Sequence, residues 1–201
     1  MSPTTPRESG AIGPRLEAVL AQLCDRLGSL YKTQAVKLPY LVDVIAVKDL
    51  GRRITDATFE AWRQGVVARE AWVGVTYPRE GCVFQIEQPE YDEGWTVRLA
   101  GMPSARLSPE EIQIVDYVAE HFGSMTAQDL GTLTKALNPE IPRESWGSNT
   151  QPAINEDTYS RLSEGWQNLW RTLSSHDLAD ESKWSEPIDD PDEYFRSVFR
   201  A

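Results

Sequence analysis

The sequence predicts a mainly α fold: a compact helical domain with a small β-hairpin and an acidic C-terminal extension. Three observations predict it. Apolar residues recur at three- and four-residue steps through much of residues 14–137 and again over 155–174. Caps, prolines and glycines punctuate these runs where helices should start and stop. Only two short stretches, Cys82–Glu87 and Trp95–Leu99, read as strand. With 201 residues, 40% hydrophobic and 25% charged, the chain can bury one ordinary core and still carry a terminal extension.

In chain order, residues 1–14 read as a flexible arm, and 15–175 as the helical domain. A first helix is expected from Pro14 to Tyr31, on the spacing of Leu16, Val19, Leu20, Leu23, Leu27 and Leu30; Gly28 loosens its end. A second should run from about Gln34 to Leu50, closed by Gly51. Pro39 falls inside that pattern, harmless in a first turn and kinking if deeper. Ile54–Trp62 fits a capped helix or a short extended piece equally well. After Gly65, Val66–Val75 reads as a short helix. The two strand-like runs follow, joined by QPEYDEG as a hairpin. Ser108-Pro109-Glu110-Glu111 then opens a helix ending at Gly123, with Ser108 as cap and Glu111 three residues on. A further helix spans about Ser124–Leu137, stopped by Asn138-Pro139, and a last one runs from Asn155 to about Ser174. Residues 176–201 form the tail. Between Asp177 and Glu193 it holds eight acidic residues against Lys183, and it then ends in Tyr194, Phe195, Val198 and Phe199.

Composition narrows the function. The net charge of −11 argues against nucleic acid, because phosphate backbones repel an acidic surface. The most basic-looking stretch, residues 48–80, nearly cancels itself. No apolar run approaches a membrane span, and the polar start carries no secretory pattern, so a cytoplasmic protein is expected. Cys24 and Cys82 are far apart and suggest no disulfide framework. His121 and His176 have no neighbour at zinc-ligand spacing, and no phosphate-cradling glycine loop or nucleophile elbow occurs. His121 sits where a helix C-terminus favours an imidazolium. The acidic string Asp189, Asp190, Asp192, Glu193 lacks the glycine and alternation of a calcium loop. No cofactor, metal or catalytic centre is expected, and the chain reads as a binding protein. Seven tryptophans, Trp62, Trp72, Trp166 and Trp170 among them, fit either core packing or an interface.

Two segments carry a resemblance. KLPYLVDVIAVKDLGRRITDATFEAWRQGVVAREAW (37–72) is similar to the signature of the Panacea-domain antitoxins, the SocA-like or GepA-like family. The matching positions are Lys37, Leu38, Tyr40, Leu41, Gly51, Arg52, Ile54, Phe59, Ala61, Trp62, Gly65 and Val67. LSPEEIQIVDYVAEHFGSMTAQDLGTLT (107–134) resembles that family's second conserved stretch, and Trp146 and Ile154 also fit. Two departures stand out. Val66 replaces the family's usual proline, which implies a less rigid turn, and Lys135 stands where a histidine commonly follows Leu-Thr.

The resemblance implies a helical antitoxin that neutralises a cognate toxin protein by direct binding. It also implies that Lys37, Tyr40, Gly51, Phe59, Trp62 and Gly65 are structural. The tail, which has no counterpart in the family's pattern, reads two ways. Either Tyr194, Phe195, Val198 and Phe199 pack back on the domain as a terminal helix, or Asp189, Asp190, Asp192, Glu193, Tyr194 and Phe195 contact the partner, charge steering encounter and aromatics supplying buried contact. The alternative is a DNA-binding regulator, in which two short helices followed by the hairpin at 82–99 form a helix-turn-helix with a wing.

Overall fold

A computed structural model describes residues 12–87, 94–148, 150–162 and 164. Five α-helices, a helical segment at 156–162 and five short strands occur among these residues, and one helix lies at the centre. This is α2 (Lys32–Leu50): every residue from Gln34 to Ala46 is buried, so it is apolar nearly all round. Pro39 is eight residues into it and leaves the carbonyl of Ala35 without its usual donor, yet the helix continues through it. Gly51, at φ 67°, closes the helix by donating its N–H to Val47 O at 3.1 Å.

Before it, α1 (Pro14–Leu27) takes its cap from another part of the chain. Asp56 accepts from the N–H groups of Leu16 (3.0 Å) and Arg15 (3.4 Å). The helix stops four residues short of the expected Tyr31. Gly28 turns the backbone to φ 76°, and Leu30–Tyr31 becomes a strand, β1, with Leu30 buried and Tyr31 exposed.

The largest departure from expectation lies between 59 and 76. Residues Phe59–Trp62 (β2) and Gly65–Ala68 (β3) form a hairpin around Arg63-Gln64, and the helix α3 begins only at Arg69 and ends at Thr76. The β-branched pair Val66-Val67 suits a strand. All eight strand residues are buried, so the alternation that would have revealed a hairpin is missing from the sequence. One short helix, α3, and not two, therefore lies between α2 and the second hairpin, and the pair of short helices expected for a winged helix-turn-helix does not form there.

That second hairpin forms where expected. Phe84–Glu87 (β4) pairs antiparallel with Thr96–Leu99 (β5), and β1 adds to the other side of β5 in the order β1-β5-β4. Ser108 caps α4 (Pro109–Phe122) reciprocally with Glu111. Thr126 does the same with Asp129 for α5 (Ala127–Ala136), two residues later than expected. Residues 156–162 are helical behind Asn155, whose Oδ1 accepts from Thr158 N–H at 3.0 Å. The rest of that helix, the domain boundary and the tail lie outside the described residues.

Candidate functional site

The signature residues meet around α2, in two polar clusters and one aromatic one. The first cluster folds the loop 51–58. Asp43 is fully buried, yet its carboxylate is satisfied on every side. It accepts from the N–H groups of Ile54 (2.8 Å) and Thr55 (2.9 Å), from Thr55 Oγ1 (2.6 Å) and from Arg53 Nε (2.8 Å). Beside it Glu111, 3% exposed, receives Arg15 (2.5 Å) and Arg52 (2.8 Å) on one oxygen and Ser108 N–H (2.8 Å) on the other. Burial alone would raise this carboxyl, but the bonds from Arg15, Ser108 and Arg52 outweigh it and hold the pKa down at about 2. Helices α1, α2 and α4 are thus tied to one loop by two buried carboxylates.

The second cluster closes the edges of the β2–β3 hairpin. In their register Ala61 lies opposite Val66, and both turn their peptide groups outward. An open edge invites further strands, and here the Ala61–Val66 pair is covered on both sides. On one side Ala61 N–H donates to Thr150 O (2.7 Å), and its carbonyl accepts from Gly147 N–H (2.9 Å). On the other, Val66 N–H donates to Thr134 Oγ1 (3.1 Å), and Lys37 Nζ donates to Val66 O (3.1 Å). Lys37 is buried, so its ammonium is poorly solvated. Burial first, and the positive charge of Lys135 second, bring its pKa down to about 7. Gly65, at φ 103°, sits so close to α5 that an added Cβ would fall 2.9 Å from Gly131 O and closer still to Thr134 Oγ1.

Aromatic rings join the clusters. Tyr40 meets Phe59 edge-on at 5.4 Å, and Trp62 meets Trp72 at 5.3 Å. The Tyr40 hydroxyl donates to Asn138 Oδ1 at 3.2 Å, and the Trp62 indole N–H donates to the buried Glu60 at 2.8 Å.

The family model described as "Antitoxin SocA-like, Panacea domain" matches residues 36–139, half of the chain. This chain belongs to that family. No curated protein and no solved structure matches it. The matched Panacea region begins in α2 and ends just past α5, so it contains the Asp43 cluster, the Lys37 and Thr134 bonds to Val66 and the aromatic contacts, while Arg15, Gly147 and Thr150 lie outside it.

Within this Panacea fold, Lys37, Tyr40, Phe59, Trp62 and Gly65 are buried and close together, and Gly51 ends α2. Asp189, Asp190, Asp192, Glu193, Tyr194 and Phe195 lie outside the described residues. Val66 lies in β3 and not in the turn, and it spends its N–H on Thr134, a bond that the family's usual proline lacks the hydrogen to make. Lys135 places its ammonium 5.7 Å from the ring centre of Trp146. Burial, then the neighbouring charges of Arg143 and Arg63, lower its pKa. His121 stacks on Tyr117 at 3.9 Å, with Nδ1 2.9 Å from Tyr117 O.

Sequence reasoning missed Asp43, Glu111 as an ion-pair centre, Thr134 and Asn138. Asp43 had one legible signal: an acidic residue amid the apolar face of α2 has to be paired. For Thr134 and Asn138 the partners are 68 and 98 residues away, and no local pattern announces them. Among the described residues, no group of three or more His, Cys, Asp or Glu is placed to hold a metal, and no helix is long and apolar enough to cross a membrane.

Proposed function

We propose that this chain neutralises a toxin protein by binding it directly, with no chemical step of its own. Membership of the SocA-like Panacea family over residues 36–139 is the observation that carries this reading. The character of the buried polar groups supports it. Asp43, Glu111, Lys37 and Thr134 are each engaged with partners inside the fold, so they act on the protein's own architecture. The acidic segment 177–193 and the aromatic residues 194–199 serve as the contact to the toxin: carboxylates attract a basic surface and aromatic side chains supply buried area. Asp189, Asp190, Asp192, Glu193, Tyr194 and Phe195 are the residues assigned to it.

The test is co-expression with the product of the adjacent gene. Growth is expected to recover, and the two proteins are expected to leave a size-exclusion column together. Recovery with no complex would replace the binding reading with a repressor or an enzyme.

A further inference from the structure

The edge of β2 is covered at Ala61 but not at Phe59. Thr58 O accepts from Arg69 N–H at 2.9 Å, which makes Thr58 and Arg69 a bonded pair across the hairpin. Bonded and non-bonded pairs alternate in an antiparallel ladder, so Phe59, like Ala61, directs its N–H and C=O to the outer edge. The covering segment runs antiparallel to β2, with Thr150 opposite Ala61. Two residues further on it presents Pro152, which has no N–H to offer. Among the described residues nothing bonds to the Phe59 peptide group.

A pocket of about 290 Å³ opens at this point, lined by Ala57, Phe59, Pro152 and Ile154, by the polar Thr58 and Gln151, and by Arg53 as its cation. Arg53 is fixed from behind. Its Nε is held by Asp43 at 2.8 Å, its Nη2 bonds to Ala57 O, and its guanidinium lies 4.9 Å from the Phe59 ring centre. Its Nη1 is not engaged there. The held Arg53 guanidinium, the outer edge of β2 at Phe59 and the apolar side chains of Ala57, Pro152 and Ile154 therefore line one small space.

We propose that this pocket binds a carboxylate carried on a short aliphatic stem. The carboxylate accepts from Arg53 Nη1 and Phe59 N–H, and the stem packs against Ala57, Pro152 and Ile154. A free aliphatic acid and the acidic side chain of another protein share this chemistry. The assignment stands whether or not the chain neutralises a toxin, since no residue that lines the pocket belongs to the tail.

Proton–nitrogen NMR on the full chain tests it, with the Phe59 amide and Arg53 side-chain signals as readout. Three probes are added in turn: 4-methylpentanoate, its amide, and an acetylated and amidated tripeptide with central glutamate. A carboxylate is expected to move both signals saturably, and the amide to bind about ten-fold or more weakly, because a charge-assisted bond is lost. Saturation by the free acid identifies a small-molecule ligand, and saturation by the tripeptide alone identifies a protein side chain. Arg53→Gln risks the Asp43 cluster, so Ile154→Trp, which fills the pocket from a half-buried position, is the control and should abolish the response. No saturable shift, equal response to acid and amide, or an unchanged response in the Ile154→Trp variant each overturns the proposal.

Discussion

Two buried ionisable side chains make the stability of this fold rise with pH, each in its own window. The Glu111 carboxyl is held at about 2 in the folded chain against an ordinary value of 4.5. The unfolded chain therefore binds the proton more readily, and the stabilisation is complete above about pH 5 and lost as pH falls towards 2. The difference corresponds to roughly 3 kcal/mol at most, less where salt screens the part-exposed Arg15 and Arg52. Glu111→Gln should remove most of that acid-limb slope in urea melts taken across pH 2–6. Lys37 is the converse case of a base whose pKa is lowered, from 10.5 to about 7. Its charge opposes folding most fully below pH 7, and stability should rise by up to about 5 kcal/mol between pH 7 and 10.5. Lys37→Met should abolish that rise. It should also cost about 1–3 kcal/mol above pH 10, where Val66 O loses its donor. The sequence marks Lys37 as a signature position, but its role comes from the far-off Val66 carbonyl, which no spacing reveals.

At the level of elements, the β2–β3 hairpin is the piece on which the rest leans, and it is the piece the sequence concealed. Its turn is two residues long, and both strands are buried on both faces. Short apolar runs of this kind read as well for helix as for strand. By contrast α4 and its capping box were legible to the residue, since Ser108 and Glu111 are local partners. Gly65→Ala should destabilise the protein by about 2 kcal/mol or more in chemical denaturation, because φ 103° is strained for alanine and its Cβ meets α5. Trp62→Ala should cost roughly 3–5 kcal/mol, the range for a buried large aromatic, with its ring contact to Trp72 lost as well. Val66→Pro, which installs the family's usual residue, should be destabilising here by about 1 kcal/mol or more, since the bond to Thr134 goes with the N–H.

For the whole molecule, the helical class and the second hairpin were legible because periodicity, caps and breakers agree along most of the chain. The buried clusters were not, because Asp43, Thr134 and Asn138 find their partners only once distant segments meet. The central claim is that the chain silences its toxin by occupying it, and a titration at fixed toxin concentration tests this most directly. Purified chain is added stepwise to the product of the adjacent gene, well above the dissociation constant, and the residual activity of that product is measured after each step. Occupation predicts a linear fall that reaches zero at a fixed whole-number ratio and does not deepen with time. Progressive, time-dependent loss of activity at a small fraction of one equivalent would contradict the account and mark the chain as a catalyst.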